Sequence, residues 1–111
     1  MNTRVLCVEN HPEYLGALVE LLQAAGYEVI SATSGQEALK ILGEENFGGI
    51  LLEYDLPDVI GTAVRREMKQ IRPEVPIMLF AGMGTETPFL VRFFDAYLRD
   101  EEYPEWNGGD A

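Results

Sequence analysis

The feature that most constrains this chain is a set of short, unbroken apolar runs bounded by turn residues. Val5-Leu6-Cys7-Val8, Ile50-Leu51-Leu52 and Ile77-Met78-Leu79-Phe80 have strand length and no polar alternation. A strand with one wet face alternates, whereas a continuous run belongs to a strand buried on both faces, as in a parallel sheet. Segments with helical spacing lie between the runs. Leu15, Leu18, Val19 and Leu22 share one face of a first helix. Asn10 or His11 can cap it, Pro12 suits its first turn and Gly26 its end. Ser34-Gly35-Gln36-Glu37 has the capping-box pattern and starts a second helix carrying Ala38, Ile41 and Leu42, with Gly43 at its end. Gly61 opens a third, with Val64, Met68 and Ile71 along its inner face and Pro73 as its stop. Tyr27 to Ala32 reads as a further strand and Thr85 to Phe94 as a short fourth helix. Ala96-Tyr97-Leu98 reads as a short fifth strand.

Strands alternating with helices through short connections predict an α/β fold. Its form is a three-layer, doubly wound parallel sheet of five strands with right-handed crossovers. The 111 residues suit one domain, residues 1–100, followed by an irregular acidic tail, 101–111. In such sheets, sites form beyond the carboxyl ends of the strands. That singles out Glu9-Asn10, Glu53-Tyr54-Asp55, Ala81-Gly82 and Arg99-Asp100.

The charge balance narrows the function. Eight Lys and Arg against 19 Asp and Glu give a net charge of −11, which repels phosphate backbones and anionic lipid. No nucleic-acid or membrane partner is expected. Arg65-Arg66, the one adjacent basic pair, could be a docking patch but reads rather as a solvated helix face. Cys7 is the only cysteine and sits in an apolar run, so it reads as a small core residue. No stretch approaches the ~18 apolar residues of a membrane helix and no leader pattern opens the chain, so a cytoplasmic location is expected.

From Arg4 to Asp100 the motifs, in order, resemble a response-regulator receiver domain. The resemblance implies the flavodoxin-like strand order 2-1-3-4-5. In that family the first strand ends in an acidic pair that holds a divalent cation; Glu9 and Asn10 stand there. The third strand ends in a phosphoacceptor aspartate, followed four residues later by proline and four more by glycine. Glu53, Pro57 and Gly61 keep that spacing. The switch threonine or serine after the fourth strand corresponds to Ala81, its aromatic partner on the fifth strand to Tyr97, and the lysine beyond that strand to Asp100.

The scaffold matches while the chemistry departs. Glu53 carries its carboxylate about one bond length, roughly 1.5 Å, further out than aspartate does. Phosphoryl transfer depends on such positioning. Asn10 offers a neutral oxygen where an anion would hold Mg²⁺. Ala81 has no hydroxyl, and Asp100 puts a negative charge where a cation would stabilise the transferring group. Asp55 falls where the family supplies a backbone carbonyl to the metal, so it is not expected to be the nucleophile. Glu53 admits three readings: an imitation of the phosphorylated state, a ligand for a weakly held cation, or a silent acidic residue. A phosphate brings nearly two charges, so one carboxylate imitates it imperfectly. No cofactor is required on this reading, and a weak Mg²⁺ or Ca²⁺ site would draw on Glu9, Asn10, Glu53 and Asp55.

The function so implied is a degenerate receiver-like signalling module. It is not an enzyme, and it acts through a protein partner independently of aspartyl phosphorylation. The alternatives are a receiver phosphorylated at an atypical site and, ranked lower, a metal-dependent phosphohydrolase suggested by Glu53-Tyr54-Asp55. His11 reads as a loop residue before proline, Gly82-Met83-Gly84 as a turn, and Phe89, Phe93 and Phe94 as core. The residues after Asp100 lack a helical apolar stripe, so the family's fifth helix is expected to be missing. That would leave a sheet face beside the first helix uncovered. Tyr103 and Trp106, or a second molecule in a homodimer, would fill it; alternatively the chain is part of a longer protein.

Overall fold

The unbroken apolar runs become neighbouring parallel strands. A computed structural model of the chain describes residues 2–81 and 87–101. β1 (Arg4–Val8), β2 (Glu28–Ala32), β3 (Gly49–Glu53) and β4 (Ile77–Phe80) form one parallel sheet in the order β2-β1-β3-β4. Between them run α1 (Pro12–Ala24), α2 (Gly35–Glu44) and α3 (Gly61–Ile71), and α4 (Thr87–Leu98) follows β4.

Alternate side chains of each strand serve opposite faces. Leu6, Val8, Ile50, Leu52 and Ile77 pack with Ala38 and Leu42 of α2 and Val64 and Met68 of α3. Val5, Cys7, Leu51 and Phe80 pack with Leu18 and Leu22 of α1 and Val91 and Phe94 of α4. Both faces are therefore apolar, which is why these strands read as unbroken runs. The expected α/β architecture and the strand order 2-1-3-4 are present.

Local signals set the element ends. Ser34 accepts a hydrogen bond from the Glu37 amide at 3.2 Å, and the Glu37 carboxylate accepts from the Thr33 amide at 2.7 Å, so a capping arrangement opens α2. Gly26, at φ 101°, closes α1, and its amide reaches the Gln23 carbonyl. His11 occupies the cap position of α1 without a side-chain cap hydrogen bond, and its ring stacks on Tyr14. Two details differ from expectation: α2 runs past Gly43 to Glu44, and Ile71 is 39% exposed rather than inward.

The larger correction concerns the last element. Ala96-Tyr97-Leu98 is the final turn of α4, not a fifth strand, and the described residues contain four strands. Val91, Phe94 and Leu98 recur at helical spacing and pack into the core beneath α1. Leu98 lies on Gly49, where an added Cβ would sit 2.6 Å from the leucine Cδ2. The Tyr27 hydroxyl donates to Asp95 at 2.5 Å, and Arg99 donates to the same carboxylate at 2.8 Å. The sheet face beside α1, expected to be left for Tyr103 and Trp106 or a second molecule to fill, is covered by α4. Gly82-Met83-Gly84, Tyr103 and Trp106 lie outside the described residues.

Candidate functional site

Two acidic residues end up side by side where β1 and β3 finish. Val8 is in register with Leu52, so the next residues, Glu9 and Glu53, are neighbours across the ladder. Both are buried, with 3% and 5% exposure. One oxygen of each is satisfied by a nearby amide: Glu9 accepts from His11 at 3.0 Å, and Glu53 from Asp55 at 3.3 Å. The other oxygen of each is buried with no protein hydrogen-bond partner.

Two buried carboxylates cannot both stay ionised cheaply. Burial, foremost, pushes the Glu53 carboxyl up to about 7; the Asp55 amide pulls it down, and Glu9 and Asp55 push it up again. The same surroundings silence Cys7: burial and the nearby Glu9 raise its thiol to about 12, so no reactive thiolate forms near neutrality.

The loop from Tyr54 to Ile60 frames this rim. Gly61 begins α3 directly against the end of β3, and its amide donates to the Tyr54 carbonyl at 2.6 Å. A Cβ there would lie 2.7 Å from both the Glu53 carbonyl oxygen and the Tyr54 Cα. The spacing from Glu53 to Gly61 is therefore a packing requirement as well as a motif. Asp58, in the same loop, accepts from the amides of Gly35 and Gln36, both at 2.9 Å, and so clamps the loop to the first turn of α2. These amides hold its carboxyl below the usual carboxylate range. Gly35 permits the approach, since a Cβ would meet Val59 at 2.6 Å and Val64 at 2.7 Å.

The other expected site residues divide. Asn10 and Asp55 are exposed at the same end of the sheet, and Ala81 follows Phe80, the register partner of Glu53. Tyr97 and Asp100 do not join them. Because residues 96–98 are helical and Leu98 packs on the first residue of β3, Asp100 lies at the amino end of the sheet, exposed and at φ 56°. Tyr97 instead lines a groove with Thr62, Arg65, Ile77, Met78 and Leu79 beside β4. No group of three or more His, Cys, Asp or Glu is placed to hold a metal ion among the described residues. Within the same residues, no helix is long and apolar enough to cross a membrane.

Sequence reasoning missed Asp58, a loop carboxylate whose target lies 23 residues away in the chain. It read Arg65 only as part of a solvated helix face and passed over Thr62, although their three-residue spacing places them on one helix face.

Comparisons with known proteins agree with this arrangement. Residues 5–100 match the model of the response regulator receiver domain. Among curated proteins, the chain is 31% identical over 86 residues to the alkaline phosphatase synthesis transcriptional regulatory protein PhoP of Bacillus subtilis. That match takes in 78% of this chain and 36% of PhoP. The chain is 29% identical over 87 residues to the transcriptional regulatory protein SrrA of Staphylococcus aureus, with the same coverage of both chains. It thus spans about a third of the length of the curated relatives it matches. Among solved structures, it resembles the response regulator TrrA of Thermotoga maritima in complex with Mg²⁺-BeF, with a TM-score of 0.71 and 27% identity. That likeness covers 97% of this chain and 90% of TrrA. A CheY-like receiver domain protein from Methanospirillum hungatei gives a TM-score of 0.71 at 25% identity, over 82% of this chain and 73% of the other. With its flavodoxin-like sheet and its acidic rim at the ends of β1 and β3, the chain belongs to the response regulator receiver domain family.

Proposed function

We propose that this chain is a degenerate receiver: a signalling module that works through contact with a protein partner, without aspartyl phosphorylation, catalysis or a required cofactor. The observation that carries this reading is the burial of Glu53 against Glu9 at the position where the family places its phosphoacceptor. A nucleophile must meet its donor in line, and this carboxyl turns inward to a second carboxyl. Ala81 adds no hydroxyl, and Asp100 stands at the far end of the sheet.

The residues also fit a hydrated magnesium ion poorly. Mg²⁺ keeps several waters in near-octahedral geometry. Glu9 and Glu53 are almost wholly covered, while Asn10 and Asp55 face outward. The buried oxygens suit a shared proton better than a cation carrying water. A carboxyl that titrates at about 7 is also a weak imitation of a phosphoryl group, because it is neutral much of the time at neutral pH.

Incubation with acetyl phosphate and millimolar Mg²⁺, followed by a phosphate-retarding gel, tests the proposal. The expected result is a single unshifted band. A retarded band that disappears in Glu53→Gln or in Asp55→Asn would establish phosphorylation at an atypical site and overturn the reading.

A further inference from the structure

The outer edge of β4, like that of β2 at the other side of the sheet, has no main-chain partner strand among the described residues. The Ile50 amide donates to the Pro76 carbonyl at 3.0 Å, and the Tyr54 amide to the Phe80 carbonyl at 2.7 Å. Backbone groups alternate in direction along a parallel strand. Ile77 and Leu79 therefore turn both N–H and C=O away from β3, and no strand among the described residues pairs with them. A row of unpaired groups is a template for another strand. A groove of ≈ 410 Å³ runs beside this edge, walled by Thr62 and Arg65 of α3 and Tyr97 of α4.

Charge selects the occupant. The molecule carries −11 overall, yet four of its eight basic residues, Arg65, Arg66, Lys69 and Arg72, fall within residues 65–72. Thr62, Arg65 and Lys69 share one helix face by their spacing. Lys69 donates to the Val75 carbonyl at 2.8 Å, just before β4, which places that face toward the strand. Arg65 and Lys69 have no ion-pair partner among the described residues.

Two nearer occupants fit less well. A second copy pairing β4 to β4 would be related by a two-fold axis through the sheet, which sets α3 against α3 and brings the cationic faces together. A parallel strand supplied by this chain directly after α4 would need a left-handed crossover, because α4 lies on the α1 face; such connections are rare.

We infer that the β4 edge, with Arg65 above it, is a docking site for an extended acidic segment of a partner protein, which adds as a fifth strand. Its acidic side chains would alternate toward Arg65 while apolar ones face Met78 and Tyr97. This specifies a surface for the protein contact proposed above. Its test reads binding rather than phosphate transfer, so either idea can fail alone.

A short fluorescein-labelled peptide of alternating valine and glutamate is titrated with the full chain and followed by anisotropy. It is expected to bind at least about tenfold more tightly than its valine–lysine counterpart and to weaken about tenfold with Arg65→Glu. Leu79→Pro removes an outward amide without touching the ladder to β3, and it is expected to abolish binding. Should that variant not fold, amide exchange in the unaltered chain decides: Ile77 and Leu79 are expected to slow when the peptide is added. Equal binding of both peptides, or protection confined to other amides, would overturn the inference. Protection of Ile77 and Leu79 without peptide would also overturn it; sedimentation as a dimer would then assign the edge to a second copy, and as a monomer to the chain itself.

Discussion

Glu53 ends β3 as a buried carboxyl, and its surroundings set its acid–base behaviour. Its added methylene lets the carboxyl turn inward beside Glu9 with one oxygen unpartnered. Burial chiefly raises its folded-state pKa to about 7, against an ordinary 4.5 in the open chain. Between those values the folded state holds a proton that the unfolded state has released. The stabilisation is thus complete below about 4.5 and is lost as pH rises through about 7. Melting temperature is expected to decline across that window and to level off above it. In Glu53→Gln the decline should flatten, with melting at pH 8 raised by about 5 °C. Identical profiles for the two proteins would show that the pair does not share a proton. Asp58 and Asp95 act in the opposite sense. Amides of Gly35 and Gln36 lower the first; burial would raise the second, but Tyr27 and Arg99 together hold it down. Their contribution is present above the ordinary carboxylate range and fades in acid.

At the scale of elements, two glycines with the same side chain predict opposite outcomes. A Cβ at Gly61 meets backbone atoms of Glu53 and Tyr54, which cannot rotate away. Gly61→Ala is expected to cost about 3 kcal/mol, seen as a lower urea midpoint. Gly16 lies within α1 with nothing within 4 Å of its would-be Cβ, so Gly16→Ala is expected to gain about 1 kcal/mol by helix propensity. The elements themselves were largely legible. Continuous apolar runs gave three strands, and Ser34 with Glu37 marked a helix start that the hydrogen bonds bear out. The fifth strand was misread because three apolar residues carry no usable period. The signal that locates α4 is the longer pattern Thr87, Val91, Phe94, Leu98, which steps four, three, four. The candidate site was legible only as far as local order reaches. Glu9 and Glu53 follow from strand ends, whereas the placement of Asp100 depends on where a whole helix docks.

For the whole molecule, α4 completes the sandwich. Helices of the chain itself cover both faces of the sheet, and the Tyr27–Asp95–Arg99 group ties α4 to the start of β2. Phe94 is fully buried between α1 and the sheet. Phe94→Ala is expected to cost about 4 kcal/mol, much of the stability of a small domain, and to bring the urea transition close to its native baseline. A loss below about 1 kcal/mol would mean that α4 is not seated there. Among the described residues the sheet stays open only at its two edges, β2 and β4, each a line of backbone rather than a face of side chains.

Asp58 gives the loop after β3 an attachment outside its own strand and helix. Through two amides it joins the rim that holds Glu53 to the amino end of α2. Mechanically, the junction is a strut and not a hinge. A displacement of that loop pushes on α2 without passing through the core, and α2 in turn resists it with the rigidity of a whole helix.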